Sequence, residues 1–210
     1  MFGTHDLALF VLSGLLLNIA PGPDTILIVS RSASAGRLAG MCAAMGIVTG
    51  TFVHVIAAAF GLSALLATSA EAFAIVKLVG AAYLFYLGIA LLVQSPSGTA
   101  DAPKPVASLR GCYVQGLLTN VLNPKVALFF LAFVPQFISP AAQNKPLAFL
   151  FLGTLFNFNG MLWANFLAIA SAGISKRVKA ALGPARAWLN RAVGALFIGL
   201  GVRLALAEQH

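Results

Sequence analysis

The sequence predicts an all-α membrane protein in which six transmembrane helices form two inverted three-helix repeats. Three observations predict this fold: an apolar composition, six long apolar runs, and a motif that recurs in the two halves of the chain. Of the 210 residues, 60% are hydrophobic and 9% are charged, whereas soluble domains carry about 25% charged residues. A water-soluble fold of this size cannot bury so much apolar surface, so lipid is the expected solvent. The length suits one transmembrane domain over 1–210.

Six stretches of the chain are long and apolar enough to cross a membrane. A helix needs about 20 apolar residues to cross the hydrocarbon core, and helices are expected because backbone polar groups in lipid must be satisfied internally. These runs lie at 7–29, 38–66, 72–93, 112–138, 147–174 and 188–206. The second, fourth and fifth runs exceed the required length, which predicts tilted or kinked helices.

A polar, proline-containing stretch over 95–110 divides the chain into repeat one (1–94) and repeat two (111–210), and it reads as a flexible linker. Short matches then recur in the same order in both halves: GLLLN at 14–18 with GLLTN at 116–120, and VGA at 79–81 with VGA at 193–195. Three helices per repeat is an odd number, so the second repeat must cross the membrane in the opposite sense. Inverted repeats of this kind are common in transporters.

The basic residues predict the orientation in the membrane. The net charge is +8, and nine of the 13 Lys and Arg residues fall on one side of the predicted spans. These nine are Arg31, Arg37, Lys104, Arg110, Lys176, Arg177, Lys179, Arg186 and Arg191, whereas the other side has Lys77, Lys145 and Arg203. The positive-inside rule places the first group in the cytoplasm and both termini outside. The charge is therefore attributed to topology and anionic lipid headgroups rather than to nucleic acid.

The segment NIAPGPD at 18–24 interrupts the first run. Pro21 and Pro23 remove two helical hydrogen bonds, Gly22 relaxes the backbone between them, and Asn18 can satisfy freed carbonyls. The helix is expected to break and to restart near Asp24, where the helix dipole favours an acid. An acid within a span is costly and usually functional, so Asp24 is a candidate for substrate binding or proton coupling. The alternative is an N-cap at the membrane surface.

A second break is predicted in the middle of the fourth run, at NVLNPK over 120–125. Pro124 interrupts the helix, and Asn120 and Asn123 can cap the freed backbone. Lys125 lies far from either end of its run, so reaching water by snorkelling would be strained. It could neutralise Asp24 or bind a substrate carboxylate, and a purely structural ion pair is the alternative.

PGPD in the first run and NPK in the fourth, within six predicted spans, resemble the LysE/RhtB family of bacterial amino-acid exporters. The most specific parts are NIAPGPD at 18–24 and LNPKVALFFLAFVPQF at 122–137. The resemblance implies secondary active efflux of amino acids or their derivatives across the bacterial inner membrane, as antiport with protons. It also implies that matching motif positions are held by Pro21, Pro23, Asp24, Asn123, Pro124 and Lys125. It does not identify the amino acid.

Other residues leave alternatives open. His54, in the second run, could relay a proton because histidine titrates near neutral pH, or it could make a helix–helix hydrogen bond. The asparagines and Trp163 of the fifth run could line a cavity or join helices. Gly46 and Gly50 form a small-xxx-small pattern that predicts close helix packing.

Rival functions are a passive channel and a thiol–disulfide conduit. The conduit is disfavoured because Cys42 and Cys112 do not occupy equivalent positions in the repeats. No HExxH, GxSxG or phosphate-binding glycine loop appears, so we expect no enzymatic activity, cofactor, metal or nucleic-acid partner. A homo-oligomer is compatible with the sequence.

Overall fold

The six apolar runs correspond to eight helices in the computed structural model, which describes residues 2–64, 70–93, 108–172 and 183–206. Within these ranges the helices are α1 (Leu7–Ile19), α2 (Pro23–Ala35), α3 (Arg37–Ile56), α4 (Ala70–Val93), α5 (Leu109–Val121), α6 (Pro124–Leu128), α7 (Lys145–Ser171) and α8 (Gly183–Leu206). A π-helical turn over Ala57–Leu62 extends α3. A π-helical turn over Phe129–Phe133 and a 3-10 turn over Val134–Phe137 extend α6. The fold is all-α, as predicted.

Several helices have the length and composition to span a membrane. The continuous stretches Arg37–Leu62 and Lys145–Ser171 each qualify alone, and two bent pairs qualify when each pair is taken as one span. That gives up to four spans in the described part of the chain. Helices α4 and α8, of 24 residues each, occupy the third and sixth predicted runs. Six spans remain the prediction.

Both predicted helix breaks are present. α1 ends at Ile19 and α2 begins at Pro23, with a bend of 52° between them. The stretches Leu109–Val121 and Pro124–Phe137 meet at 47°. Each second half begins with proline, which is favoured at the first helical position because its missing N–H is not needed there.

Several boundaries differ from the sequence prediction: the sixth run begins earlier, since α8 starts at Gly183 and not at 188, and two further differences involve polar residues. α2 continues to Ala35, past the expected end at 29, and Arg31 lies inside it with 2% exposure. The Arg31 Nε and Nη2 atoms donate to Gln115 Oε1 at 2.9 and 2.6 Å, so the expectation of a headgroup-facing Arg31 was wrong. α5 begins at Leu109, inside the predicted linker, because the Ser108 side chain caps its first turn. Residues 95–107 of that linker lie outside the described residues.

Glycines allow a close contact between α3 and α5. A Cβ added to Gly46 would lie 2.0 Å from the Tyr113 carbonyl oxygen, and one added to Gly116 would lie 2.1 Å from the Ala43 oxygen. A Cβ on Gly50 would lie 2.9 Å from the Asn120 side chain. The packing predicted from the small-xxx-small pattern is confirmed. A Cβ on Gly46 would also lie 2.8 Å from the Leu117 backbone nitrogen. The contacts of positions 43, 46 and 50 with positions 116, 117 and 120 rise together, so α3 and α5 run parallel.

The same kind of contact gives the directions of the other helices. α3 and α7 are antiparallel, because Gly40 approaches Ala168 and Val55 approaches Gly153. α4 and α8 are also antiparallel, because Ala81 approaches Gly201 and Gly88 approaches Gly194. α1 and α7 are parallel, because Gly14 approaches Phe156 and Asn18 approaches Gly160.

An aromatic cluster fills one end of the bundle. It consists of Phe10, Phe129, Phe130, Phe133, Phe137 and Phe156, all at most 4% exposed. The ring centroids of Phe129 and Phe156 are 4.5 Å apart, and those of Phe133 and Phe137 are 4.8 Å apart. The cluster forms where α1 begins and α6 ends, and the two helix breaks lie beside it.

Candidate functional site

A cavity lies between the two helix breaks and α7. Its empty space, counted out to the open mouth, is about 580 Å³. Its polar wall is formed by Asn18, Asp24, Thr25, Thr51, Asn120, Asn123, Lys125, Asn157 and Trp163. All of the predicted polar site residues except His54 are therefore brought together around one space.

Asp24 is held by the second break. It is the second residue of α2, and its Oδ2 accepts hydrogen bonds from Asn120 Nδ2 at 2.8 Å and Asn123 Nδ2 at 3.1 Å. Its other carboxylate oxygen, Oδ1, is buried and has no hydrogen-bond partner among the described residues. Half of this carboxylate is thus anchored, and half is available to a ligand.

Lys125 is held by the first break. It is the second residue of α6, and its Nζ donates to the carbonyl oxygens of Leu17 and Ala20, each at 2.9 Å. Pro21 has no N–H to give to the Leu17 carbonyl four residues earlier, so the lysine ammonium supplies the missing donor. Asn18 was expected to donate to the freed carbonyls, but its Nδ2 has no hydrogen-bond partner in the described ranges.

Asp24 and Lys125 do not contact each other directly. No ion pair within 4.0 Å joins them, whereas His5 Nδ1 and Asp6 Oδ2, near the start of the chain, lie 3.2 Å apart. The direct pair considered from the sequence is therefore replaced by two sets of hydrogen bonds that cross between the halves. Lys125 also lines a smaller cavity with Ser13, Tyr83 and Phe197, so it stands between two spaces.

The two asparagines of the second break form different hydrogen bonds. Asn123, which is 2% exposed, caps α6 by accepting from the Lys125 backbone N–H at 3.0 Å, and its amide nitrogen donates to Asp24. Asn120, which is 1% exposed, donates to Asp24 and contacts Thr51 Oγ1 at 3.3 Å through its Oδ1. Asn123 is the expected cap, whereas the Asn120 side chain is directed to the acid.

His54 contacts the backbone of the second break. Its Nε2 lies 3.0 Å from the Asn120 carbonyl oxygen, and its ring stacks on Phe130 with centroids 6.4 Å apart. Pro124 cannot donate to that carbonyl. The carbonyl accepts from the Asn123 backbone N–H at 2.9 Å, and His54 Nε2–H adds a second donor from another helix. His54 is not among the residues that line the large cavity. Its role in proton transfer stays a prediction.

The structure adds residues that sequence reasoning missed or ranked lower. Thr25 and Thr51 line the cavity and were not singled out. Their positions in the sequence could have indicated them, because Thr25 follows Asp24 in the first turn of α2 and Thr51 lies one helical turn before His54. In α7, Trp163 and Asn157 line the cavity, with Asn157 Nδ2 donating to the Val48 carbonyl at 3.1 Å. Asn165 instead donates to Met161 of its own helix.

Comparison with known proteins agrees with the motifs. An uncharacterized membrane protein of Pseudomonas aeruginosa is 33% identical over 98% of this chain and 97% of its own length. A leucine efflux protein of Enterobacter sp. is 29% identical over 97% of each chain. A leucine efflux protein of Salmonella typhimurium is 27% identical over 99% of this chain and 98% of its own length. No solved structure matches the chain.

The family match covers nearly the whole sequence, from residue 15 to residue 208, and includes both helix breaks and the cavity. With the relatives and the apolar helices, it makes the protein a multi-pass membrane protein and an amino-acid exporter at the level of the family. The chain belongs to the LysE type translocator family.

Proposed function

We propose that this protein is a secondary exporter that moves amino acids or their derivatives out of the cytoplasm in exchange for protons. The family supports export, and two of the relatives are named leucine efflux proteins. The observation that carries the proposal is the half-anchored Asp24 carboxylate on the wall of a cavity between two broken helices. Broken helices that meet around a site are typical of secondary transporters.

Coupling follows from competition at one oxygen. Asn120 and Asn123 occupy Oδ2 of Asp24, so Oδ1 can accept either a substrate ammonium or a proton. A carboxylate attracts the ammonium, and a protonated carboxyl does not. Protonation from the outside therefore releases substrate, and loss of the proton to the cytoplasm restores binding. Ligand and proton share the site in turn, which is the requirement for antiport.

The architecture proposed for this cycle is six spans in two inverted repeats, 1–94 and 111–210, in the bacterial inner membrane with both termini outside. The parallel and antiparallel helix contacts support it, because they fit spans that alternate in direction along the chain. Exposed Arg37 and Arg110, at the starts of α3 and α5, support a cytoplasmic location for these helix ends. In this orientation the aromatic cluster closes the outer end of the cavity, where Phe156 belongs to both.

The test is efflux from proteoliposomes with and without an imposed pH gradient. We expect the wild-type protein to move labelled leucine faster with the gradient. Asp24→Asn keeps the shape of the side chain but removes the charge and the proton site, and it should reduce coupled efflux to the level of protein-free liposomes.

Glu71→Gln is the matched control, because Glu71 is an exposed acid in the first turn of α4. It should retain wild-type efflux. Coupled efflux at full rate in Asp24→Asn would remove Asp24 from the mechanism. Flux in the wild type that ignores the pH gradient would instead indicate a passive channel.

A further inference from the structure

Three buried polar atoms on the wall of the large cavity have no hydrogen-bond partner among the described residues. They are Asn18 Nδ2, Asp24 Oδ1 and Trp163 Nε1, and all three residues line this cavity. A buried polar atom without a partner costs free energy, and native structures leave few of them. Three on one cavity wall indicate a site whose hydrogen bonds are completed by a ligand.

The chemistry of these atoms is complementary to a zwitterion. Asp24 Oδ1 is a carboxylate oxygen and accepts hydrogen bonds, whereas the Asn18 amide and the Trp163 indole are donors. The two donors belong to neighbouring walls: a Cβ on Gly160 would lie 3.3 Å from Asn18 Oδ1, and Trp163 follows Gly160 by one helical turn. One negatively charged acceptor and two N–H donors in the same cavity match the ammonium and the carboxylate of a zwitterion.

Lys125 is less suited to hold the substrate carboxylate directly. Its ammonium already donates to the Leu17 and Ala20 carbonyls at 2.9 Å each. Releasing those bonds would leave two backbone acceptors without a donor next to the first helix break. Asn18 and Trp163 have no such prior engagement.

The rest of the wall indicates the side chain of the ligand. Ile28, Ile47 and Ala164 are buried, belong to one apolar cluster and line the cavity beside Leu167. Among the described lining residues, the charged ones are Asp24 and Lys125, and both are used. A second charge on the ligand would have no opposite charge to meet, and unpaired buried charge is strongly disfavoured.

We propose that the cavity binds an α-amino acid with an uncharged apolar side chain, its ammonium on Asp24 and its carboxylate on Asn18 and Trp163. This inference rests on the proposed amino-acid export and adds the orientation and the side-chain class of the substrate. The N–H groups of Asn18 and Trp163 then act as specificity determinants for the carboxylate.

The test is equilibrium binding of labelled leucine to the purified protein in detergent, with competition by unlabelled compounds. Two analogues each lack one charged group of leucine: 3-methylbutylamine lacks the carboxylate, and 4-methylpentanoate lacks the ammonium. In the wild type each should bind at least about 10-fold more weakly than leucine, since a hydrogen bond to a charged group is worth about that factor or more. Lysine and glutamate should compete poorly.

The variants separate the two ends of the ligand. Trp163→Phe keeps the aromatic ring and removes the N–H, and Asn18→Leu removes the amide at similar size. Each should weaken leucine binding by about 10-fold and leave 3-methylbutylamine binding unchanged. Asp24→Asn should weaken leucine and leave 4-methylpentanoate unchanged. Matched controls are Trp188→Phe, at a site 74% exposed, and Asn165→Leu, outside the cavity lining.

Equal losses for leucine and 3-methylbutylamine in Trp163→Phe and Asn18→Leu would mean that these residues only pack, and would overturn the assignment of the carboxylate. Competition by lysine or glutamate at the strength of leucine would overturn the side-chain class. In both cases amino-acid binding persists, so the proposed export would stand. A wild-type protein that neither binds nor exports any amino acid would contradict both proposals.

Discussion

The first helix break lies between α1 and α2, and the second lies between α5 and α6. Their backbones are similar, but their charged residues and the hydrogen-bonding groups that they offer are opposite in kind. In both, the second half-helix starts with a proline, and the next residue is charged: Asp24 in the first case and Lys125 in the second. The first break has no side-chain cap and offers bare carbonyls, whereas the second is capped by Asn123 and offers amide donors. The first break thus offers acceptors to Lys125, and the second break offers donors to Asp24.

The difference teaches how two interrupted helices can be stable in lipid. Lys125 of the second break donates to carbonyls of the first, and Asp24 of the first accepts from amides of the second. Unsatisfied backbone groups are expensive in a membrane, so neither break is self-sufficient. Asp24 and Lys125 therefore form no ion pair with each other. Each forms hydrogen bonds with the other half of the chain, and we call this arrangement the cross-brace.

The largest expected effect comes from exchanging the charges, with Asp24→Lys and Lys125→Asp combined. If a direct ion pair were the essential feature, the exchange would preserve it. In the cross-brace, a carboxylate at position 125 would face the Leu17 and Ala20 carbonyls, which are also acceptors. We expect no coupled efflux in proteoliposomes and a lower melting temperature than in Asp24→Asn alone.

Lys145→Asp reverses the charge of a lysine at the start of α7, away from both breaks, and should retain efflux. Recovery of efflux in the exchanged protein would show that the pairing of opposite charges, and not the particular acceptors and donors, stabilises the breaks.

A smaller effect is expected from Lys125→Met, which has similar length and no donor. It leaves the Leu17 and Ala20 carbonyls without the ammonium, at a cost of about 1–3 kcal/mol in total. For a chain of this size that corresponds to a fall in melting temperature of about 3–10 °C. Thermal unfolding in detergent measures it. Lys125→Arg keeps a charged donor, so its melting temperature should fall less than that of Lys125→Met. Equal falls in melting temperature in both variants would contradict the role of the donor.

The local part of this arrangement follows from the sequence, and the long-range part does not. Pro21 and Pro124 predict breaks because proline removes a hydrogen bond of its own helix wherever the chain goes. The glycines of α3 predict close packing for a similarly local reason. The partners of Lys125 lie 105 and 108 residues away along the chain, and no local rule selects them. Sequence reasoning therefore found Lys125 and Asp24, but it offered Lys125 only Asp24 or a substrate carboxylate as partners.

Two further residues show the same limit. Arg31 was assigned to the headgroups because it follows an apolar run, but Gln115 of α5 holds it inside the bundle. Trp163 was one of several polar residues of the fifth run, and only the packing of α1 against α7 places it on the cavity wall. In both cases the environment of the side chain depends on which helices meet.

The smallest effect is expected at Gly22, which lies between the two prolines of the first break. Its φ of −159° is extended backbone that any residue adopts, so an added methyl group meets only its neighbours. A Cβ there would lie 3.3 Å from Lys125 Nζ, and the flexible end of the lysine must move by a few tenths of an ångström. We expect Gly22→Ala to lower the melting temperature by no more than about 3 °C, a loss of about 1 kcal/mol or less.

Two other glycines bracket this prediction for Gly22→Ala. Gly61→Ala adds a methyl group with nothing within 4 Å and should not lower the melting temperature, whereas Gly46→Ala meets the Tyr113 backbone oxygen at 2.0 Å and should lower it most. A shift at Gly22 that lies between these two, and that disappears when Lys125 is shortened, is expected if the lysine ammonium rests against the first break. A Gly22→Ala protein that melts like Gly61→Ala, with or without the lysine, would mean that the ammonium is held elsewhere.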